Sequence, residues 1–161
     1  MALRKPLVLA SGQMQQLQAG DTLDAPQGGG DVIVLTNDEA TPVVIGAPVY
    51  SDANDGFKKA RANAAATKNV TGLVSISPSI ANGSTGPVLT SGVLVATTAE
   101  WDAVAGTTGG LTKDILYYLD PATSGKITAT GPTTVGQYVV QVGHGISTTE
   151  LLVRLKIDIL L

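Results

Sequence analysis

Residues 92–125 read GVLVATTAEWDAVAGTTGGLTKDILYYLDPATSG, and the fold class turns on how this stretch changes its period. Gly92 to Ala96 is a short apolar run that fits a strand, with Gly92 a bulge or a point of close approach. Thr97 and Glu100 then have the Thr-x-x-Glu spacing of a capping box, in which hydroxyl and carboxylate satisfy backbone donors of the first helical turn. Ala96 before the cap and Trp101 inside the turn can close as a hydrophobic staple. Trp101, Val104 and Ala105 fall on one helical face, and Gly106 supplies the stop. Beyond Gly109-Gly110 the pattern becomes that of a strand over Ile115–Leu119, and Asp120-Pro121 turns the chain. One short helix between strands therefore marks a scaffold unit, and it holds the chain's only Trp.

Outward from this unit the chain reads as strands and turns. Asp31–Leu35 is a β-branched strand. Val43–Tyr50 divides into two short halves about Gly46. Ser51–Gly56, SDANDG, reads as a turn, since Gly56 falls one place early for a calcium loop and no Glu closes it. Phe57–Lys68 fits a helix by its alanines and a strand by its alternation, and the sequence leaves both open. Val70–Ile76 and Val88–Ala96 are strands around Ile80–Gly86, a hairpin-like segment with the Asn82-Gly83 dipeptide of type I′ turns at its tip. Lys126–Thr130 alternates. Gln137–Val142 is a strand with Tyr138, Val140 and Val142 on one face, and Gly143-His144-Gly145 reads as a turn. Val153, Leu155, Ile157 and Ile159 alternate with charged residues as a final strand. Together these elements predict a mainly β protein, an antiparallel β-sandwich or barrel with one short helix and an extended N-terminal arm.

Composition narrows the function. Charged residues make up 14% of the chain, about half the usual share, and 19 glycines accompany an apolar fraction of 43%. A surface so poor in charge suits packing against copies or a larger assembly. The C-terminal apolar residues Leu155, Ile157, Ile159, Leu160 and Leu161 are then the expected oligomer contacts, around a threefold. A net charge of −3 argues against direct contact with nucleic acid, which needs a basic patch. No apolar run approaches the roughly 18 residues of a membrane span. The run Pro6–Ala10 is short for the core of a signal peptide.

Chemistry-bearing residues are few. With no Cys and one His, thiolate metal sites and disulfides are excluded, and neither cofactor nor metal is expected. His144 has Ser147 near it in sequence, but no nucleophile elbow surrounds that serine. Asp102, Asp114, Asp120 and Glu150 could supply paired carboxylates for glycoside cleavage, yet each has a better local role in a helix, turn or solvent-facing strand. No catalytic residues are expected, and the protein reads as a non-enzyme.

Residues 1–30 form a distinct arm and linker ahead of the β domain at 31–161. Leu7-Val8-Leu9 can add a short strand to something, and Gly28–Gly30 is a flexible link.

Several segments, in order, resemble the β domain of tailed-bacteriophage virion proteins: capsid decoration (cement) proteins, head fibres and tail-fibre-like proteins. They are GDTLDAP (20–26), GAPVYSDANDGFKKARA (46–62), VTGLVS (70–75), GVLVATTAEWDAV (92–104), GGLTKDILYYLDPATSGKIT (109–128) and GQYVVQVGHGIS (136–147). The resemblance implies a trimeric particle protein on the capsid surface, assembled in the bacterial cytoplasm. Its partner would be the major capsid protein or another virion protein. The docking residues would lie in the arm at Arg4, Lys5, Pro6, Leu7, Val8, Leu9, Gln16 and Leu17. With no stem or long repeat ahead of the domain, decoration or a short head fibre is expected before a tail fibre. The alternative is a receptor- or glycan-binding tip with Trp101, Tyr117 or Tyr118 exposed to stack on sugar rings.

Overall fold

The computed structural model describes residues 7–10, 13–16, 30–53, 55–156 and 159–161, the first two segments as strands only. In chain order the elements are β1 (Leu7–Ala10), β2 (Gln13–Gln16), β3 (Gly30–Asn37), β4 (Val43–Val44), β5 (Pro48–Ser51), β6 (Gly56–Lys59), β7 (Gly72–Val74), β8 (Ser79–Ile80) and β9 (Thr85–Val95). After these come α1 (Thr98–Ala105), β10 (Leu116–Leu119), β11 (Ile127–Thr128), β12 (Tyr138–Val139), β13 (Gln141–Gly145), β14 (Glu150–Val153) and β15 (Ile159–Leu160). The described residues are mainly β with one helix, the class the sequence predicts.

The long strand β9 organises the sheet. On one edge it pairs with β3 from Thr85 to Gly92. Its other edge is divided: β7 takes Val88 and Leu89, and β14 takes Gly92 to Val95. Strands β9, β3, β6, β5 and β7 thereby close into a ring, while β14, β13, β10 and β11 extend from the remaining half of β9 as an open sheet. All neighbours in this sheet are antiparallel but one. The exception is β3–β6, where Thr36 lies beside Gly56 and Asn37 beside Phe57, and this parallel pair closes the ring. Gly92 is opposite Gly30 on one side and Val153 on the other. A Cβ on Gly30 would stand 2.9 Å from the Gly92 Cα and 1.9 Å from the Ser91 carbonyl oxygen, so glycine is required for this approach. The β-bulge falls beside it, with Thr90 the extra residue between Leu89 and Ser91.

Period-two alternation along the ring strands separates two cores. Val49, Val74 and Val88 pack with Val43, Ala47, Phe57 and Ile80 in one cluster. Their sequence neighbours Tyr50, Leu73 and Leu89 face the other. That second, larger core lies between the ring wall and the open sheet, and is filled by Trp101 and Val104 of α1 with Tyr117, Leu119, Ile127, Val140, Val142, Leu151 and Val153. The helix is capped as its sequence requires. Glu100 N–H donates to the Thr97 hydroxyl at 3.3 Å, and Thr97 N–H to the Glu100 carboxylate at 2.8 Å. Gly106 ends the helix at φ 65. Trp101 is fully buried in one core with Ala96, and its ring lies against Gly46, where a Cβ would meet it at 2.9 Å.

Four expectations are corrected. First, Gly143-His144-Gly145 is the interior of β13, not a turn. Its glycines are there because a Cβ at Gly143 would meet the Leu152 carbonyl oxygen at 2.3 Å and one at Gly145 would meet that of Thr112 at 2.3 Å. Second, Ile80–Gly86 does not form a hairpin. β8 pairs with β4 rather than β9, and Gly83 but not Asn82 has positive φ, whereas a type I′ turn needs both. Third, the final alternating run is not one strand. After β14, Arg154 and Lys156 N–H still donate to Val142 and Gln141 along β13, but β15 pairs with β12. The partner strand is itself broken at Val140, whose carbonyl accepts from Leu119. Fourth, the parallel β3–β6 pair departs from an all-antiparallel sheet. The open question at Phe57–Lys68 resolves as β6 followed by turns, and Gly30, read as the end of the linker, is the first residue of β3.

Candidate interaction surfaces

The C-terminal residues build an exposed apolar surface. Gly136 at φ 88 turns the backbone into β12, which pairs Tyr138 with Leu160 and Val139 with Ile159. Gly136 N–H donates to the Leu161 carbonyl at 2.9 Å, and Leu161 N–H to that of Gln137 at 3.0 Å. Tyr138 N–H donates to the Ala62 carbonyl at 2.9 Å, and the Lys68 ammonium stands 5.0 Å from the Tyr138 ring centre. The backbone is thus tied to the body while the side chains face water. Val135 is 87% exposed, Ile159 63%, Leu160 59% and Leu161 39%. Of the expected oligomer contacts, Ile159, Leu160 and Leu161 stand together here. Leu155 is half-buried against the larger core, and Ile157 lies outside the described residues.

A second surface had no signal in the sequence. β3 meets β6 only through Thr36 and Asn37, so from Asp31 to Leu35 one of its edges is unpaired among the described residues. Val34 lies opposite Pro87, which has no N–H to offer, and is 66% exposed. The uncharged run Val32–Leu35 looks like a strand buried on both faces, and periodicity cannot separate that from an open edge.

In the arm, β1 and β2 pair antiparallel, with Leu7 opposite Gln16 and Leu9 opposite Met14, in a sheet of their own. Leu7, Val8, Leu9 and Gln16 of the expected docking set are thus on this pair. Arg4, Lys5, Pro6 and Leu17 lie outside the described residues.

The residues considered for chemistry are held in local structure. Asp102 accepts from the Thr107 hydroxyl at 2.9 Å and from the N–H groups of Gly109 at 3.0 Å and Gly110 at 2.8 Å. The Gly110 N–H above all holds its carboxyl below the usual aspartate range against the opposing effect of burial, with Gly109 and Thr107 adding to it. Asp120 accepts from Ala122 and Thr123 N–H in an Asx turn. Asp114 sits at φ 62 in a turn. Glu150 accepts from the Ser147 hydroxyl at 3.3 Å, and His144 is half-buried opposite Leu116 and Leu152. In the SDANDG turn, Asp52 pairs with Lys58. Among the described residues no three His, Asp or Glu side chains stand together to hold a metal ion. No helix there is long and apolar enough to cross a membrane.

A groove of about 580 Å³ opens beside the start of α1, walled by Ile45, Ile76, Val95 and Ala96. The carboxylate at its rim, Glu100, is engaged by the Ser77 hydroxyl at 2.5 Å and by the helix cap. The Ser77 bond, followed by the Thr97 N–H, keeps this carboxyl below its ordinary range. Two of the three aromatic residues considered for a glycan platform are withdrawn from the surface. Trp101 and Tyr117 are fully buried, the former donating to Thr149 O at 3.0 Å and the latter's hydroxyl accepting from Thr112 N–H at 2.8 Å. Tyr118 alone of the three keeps partial exposure. No protein-family model matches the chain, and no curated protein matches it.

Proposed function

We propose that this chain is a non-enzymatic structural protein of a tailed-phage virion, a trimer that decorates and stabilises the capsid and attaches through its N-terminal arm. The observation that carries the reading is the C-terminal surface. A strand anchored by its backbone presents Ile159, Leu160 and Leu161 outward, and burying what remains exposed of each against a neighbouring copy is worth about 1 kcal/mol. The arm supports the same reading from the other end, because an isolated two-stranded sheet such as β1–β2 is at best marginally stable in water and gains order on a partner. Three arms on one trimer bind with avidity well above that of one.

Two measurements test this. Light scattering of the full chain should give a trimer, and Ile159→Lys with Leu160→Lys should give a folded monomer; a monomeric parent protein would end the oligomer reading. Deleting residues 1–26 should leave a folded trimer that no longer binds shells. Normal shell occupancy by the truncated protein would move the docking surface to the β domain.

A further inference from the structure

The Asn-Gly dipeptide at 82–83 reads in the sequence as a hairpin tip, and the structure gives it another setting. Ala81 to Thr85 are exposed, and nothing lies within 4 Å of where a Gly83 Cβ would stand. Asn-Gly is the pairing in which a backbone nitrogen most easily reaches the preceding side-chain amide, because glycine offers no Cβ to obstruct the approach. Here that nitrogen is engaged. Gly83 N–H donates to the Asn37 carbonyl at 2.9 Å, and Asn37 N–H donates to Ser84 O at 2.9 Å.

Asn37 is itself fully buried. Its side-chain amide donates to Ile80 O at 2.8 Å and to Thr41 O at 3.1 Å, while its Oδ1 accepts from Glu39 N–H at 2.9 Å. One buried residue therefore grips the 80–84 loop at Ile80, Gly83 and Ser84. A buried amide with every bond made costs little to keep and much to disturb, since freeing the loop leaves its groups unpaired.

We propose that Asn82 is a modification site, deamidated through attack by the Gly83 nitrogen, and that Asn37 is the latch that keeps the reaction closed in the folded chain. In the open loop, hydroxide removes the Gly83 amide proton and the nitrogen attacks the Asn82 Cγ. A C–N bond forms, the side-chain nitrogen leaves as ammonia, and a succinimide ring remains. Water then opens the ring at either carbonyl, giving aspartate or isoaspartate at 82. Overall, one amide and one water become one carboxylic acid and one ammonia, with no oxidant or reductant. While the Gly83 N–H donates to the Asn37 carbonyl, its proton is retained and its nitrogen is held from attack. The modification therefore records that this loop has been open, and it adds one negative charge at the end of the ring beside β8.

The test measures isoaspartate at residue 82 by peptide mass spectrometry in the full chain, native and urea-unfolded, at one pH and temperature. Opening breaks the bonds from Gly83, Asn37 N–H and Asn37 Nδ2, and three such bonds at their usual net worth correspond to about a hundredfold slower reaction in the native protein. An Asn37→Ala chain that circular dichroism shows to be folded keeps the two backbone bonds and, of the three, loses only the Nδ2 bond to Ile80 O, so it should react about fivefold faster than the parent. If that variant does not fold, hydrogen exchange of the Gly83 amide in the parent protein decides the latch: slow exchange supports it and free exchange overturns it. Equal rates in native and unfolded protein would overturn the latch, and absence of isoaspartate at 82 in the unfolded chain would overturn the site. A folded Asn37→Ala chain that stays as slow as the parent would overturn the part given to the Asn37 side chain.

Discussion

Replacing Trp101 by alanine tests the arrangement on which the larger core depends. The indole is fully buried, lies against the Gly46 backbone and donates to the Thr149 carbonyl. Gly46 is held at φ 80, so its backbone cannot simply follow a shrinking side chain. The neighbouring wall is sheet, tied by its ladders, and it can collapse only partly into the space. Emptying such a site costs about 3–5 kcal/mol, and the Thr149 carbonyl also loses its donor. Against a total stability of about 5–15 kcal/mol this is a large share. At roughly 2–4 °C per kcal/mol for a chain of this size, the melting temperature should fall by roughly 6–20 °C. The assay is a thermal melt monitored by far-ultraviolet circular dichroism, with Trp101→Phe, which keeps a ring but not the N–H, as an intermediate case. An unchanged melting temperature in Trp101→Ala, accompanied by lost binding to a glycan or cell surface, would refute the reasoning and make the indole a site.

Gly143→Ala should prevent normal pairing of β13 with β14, since the new methyl would stand 2.3 Å from the Leu152 carbonyl oxygen. Gly83→Ala meets no neighbour and should cost only the left-handed conformation, about 1–2 kcal/mol. If the two variants melt alike, the close approach is not as described. Thr97→Ala should lower stability by about 0.5–2 kcal/mol through loss of the helix cap, read as a shift in denaturant midpoint that Thr97→Ser largely restores. Asp102, whose carboxyl is held low chiefly by the Gly110 N–H, contributes stability that is present above the ordinary aspartate value of 3.8 and is lost as pH falls through its lowered folded value. Melting temperature against pH should therefore fall more steeply on the acid side for the parent than for Asp102→Asn, and parallel curves would contradict this.

What was legible in the sequence was local. The capping box at Thr97 and Glu100, the stop at Gly106 and the staple at Trp101 each involve partners a few residues apart, and each was readable. The common face of Tyr138, Val140 and Val142 was readable for the same reason, although the strand carrying it is broken. The failures come from glycine and from pairing. A glycine marks a turn or a close approach between strands with the same letter, and only the carbonyls of Leu152 and Thr112 show that Gly143 and Gly145 are the second kind. Alternation from Val153 to Ile159 specifies faces but not partners, so the transfer from β13 to β12 left no trace in the pattern. Closure of the ring by Thr36–Asn37 beside Gly56–Phe57 likewise depends on residues the local sequence cannot join. At the candidate surface, the apolar ending at Ile159–Leu161 was readable as composition, whereas the open edge at Val34 was not, because its exposure depends on where β6 stops.

The placement of Gly92 between Gly30 and Val153 has a mechanical consequence. Strand β3 starts, and strand β14 finishes, at the same level on either side of β9, about 10 Å apart across two strand spacings. The start of β3 and the finish of β14 thus share one level inside β9. A tension applied between the backbone entering at Gly30 and the backbone leaving at Val153 would peel β3 and β14 away from β9 one pair at a time, beginning at Gly92, instead of shearing whole ladders at once.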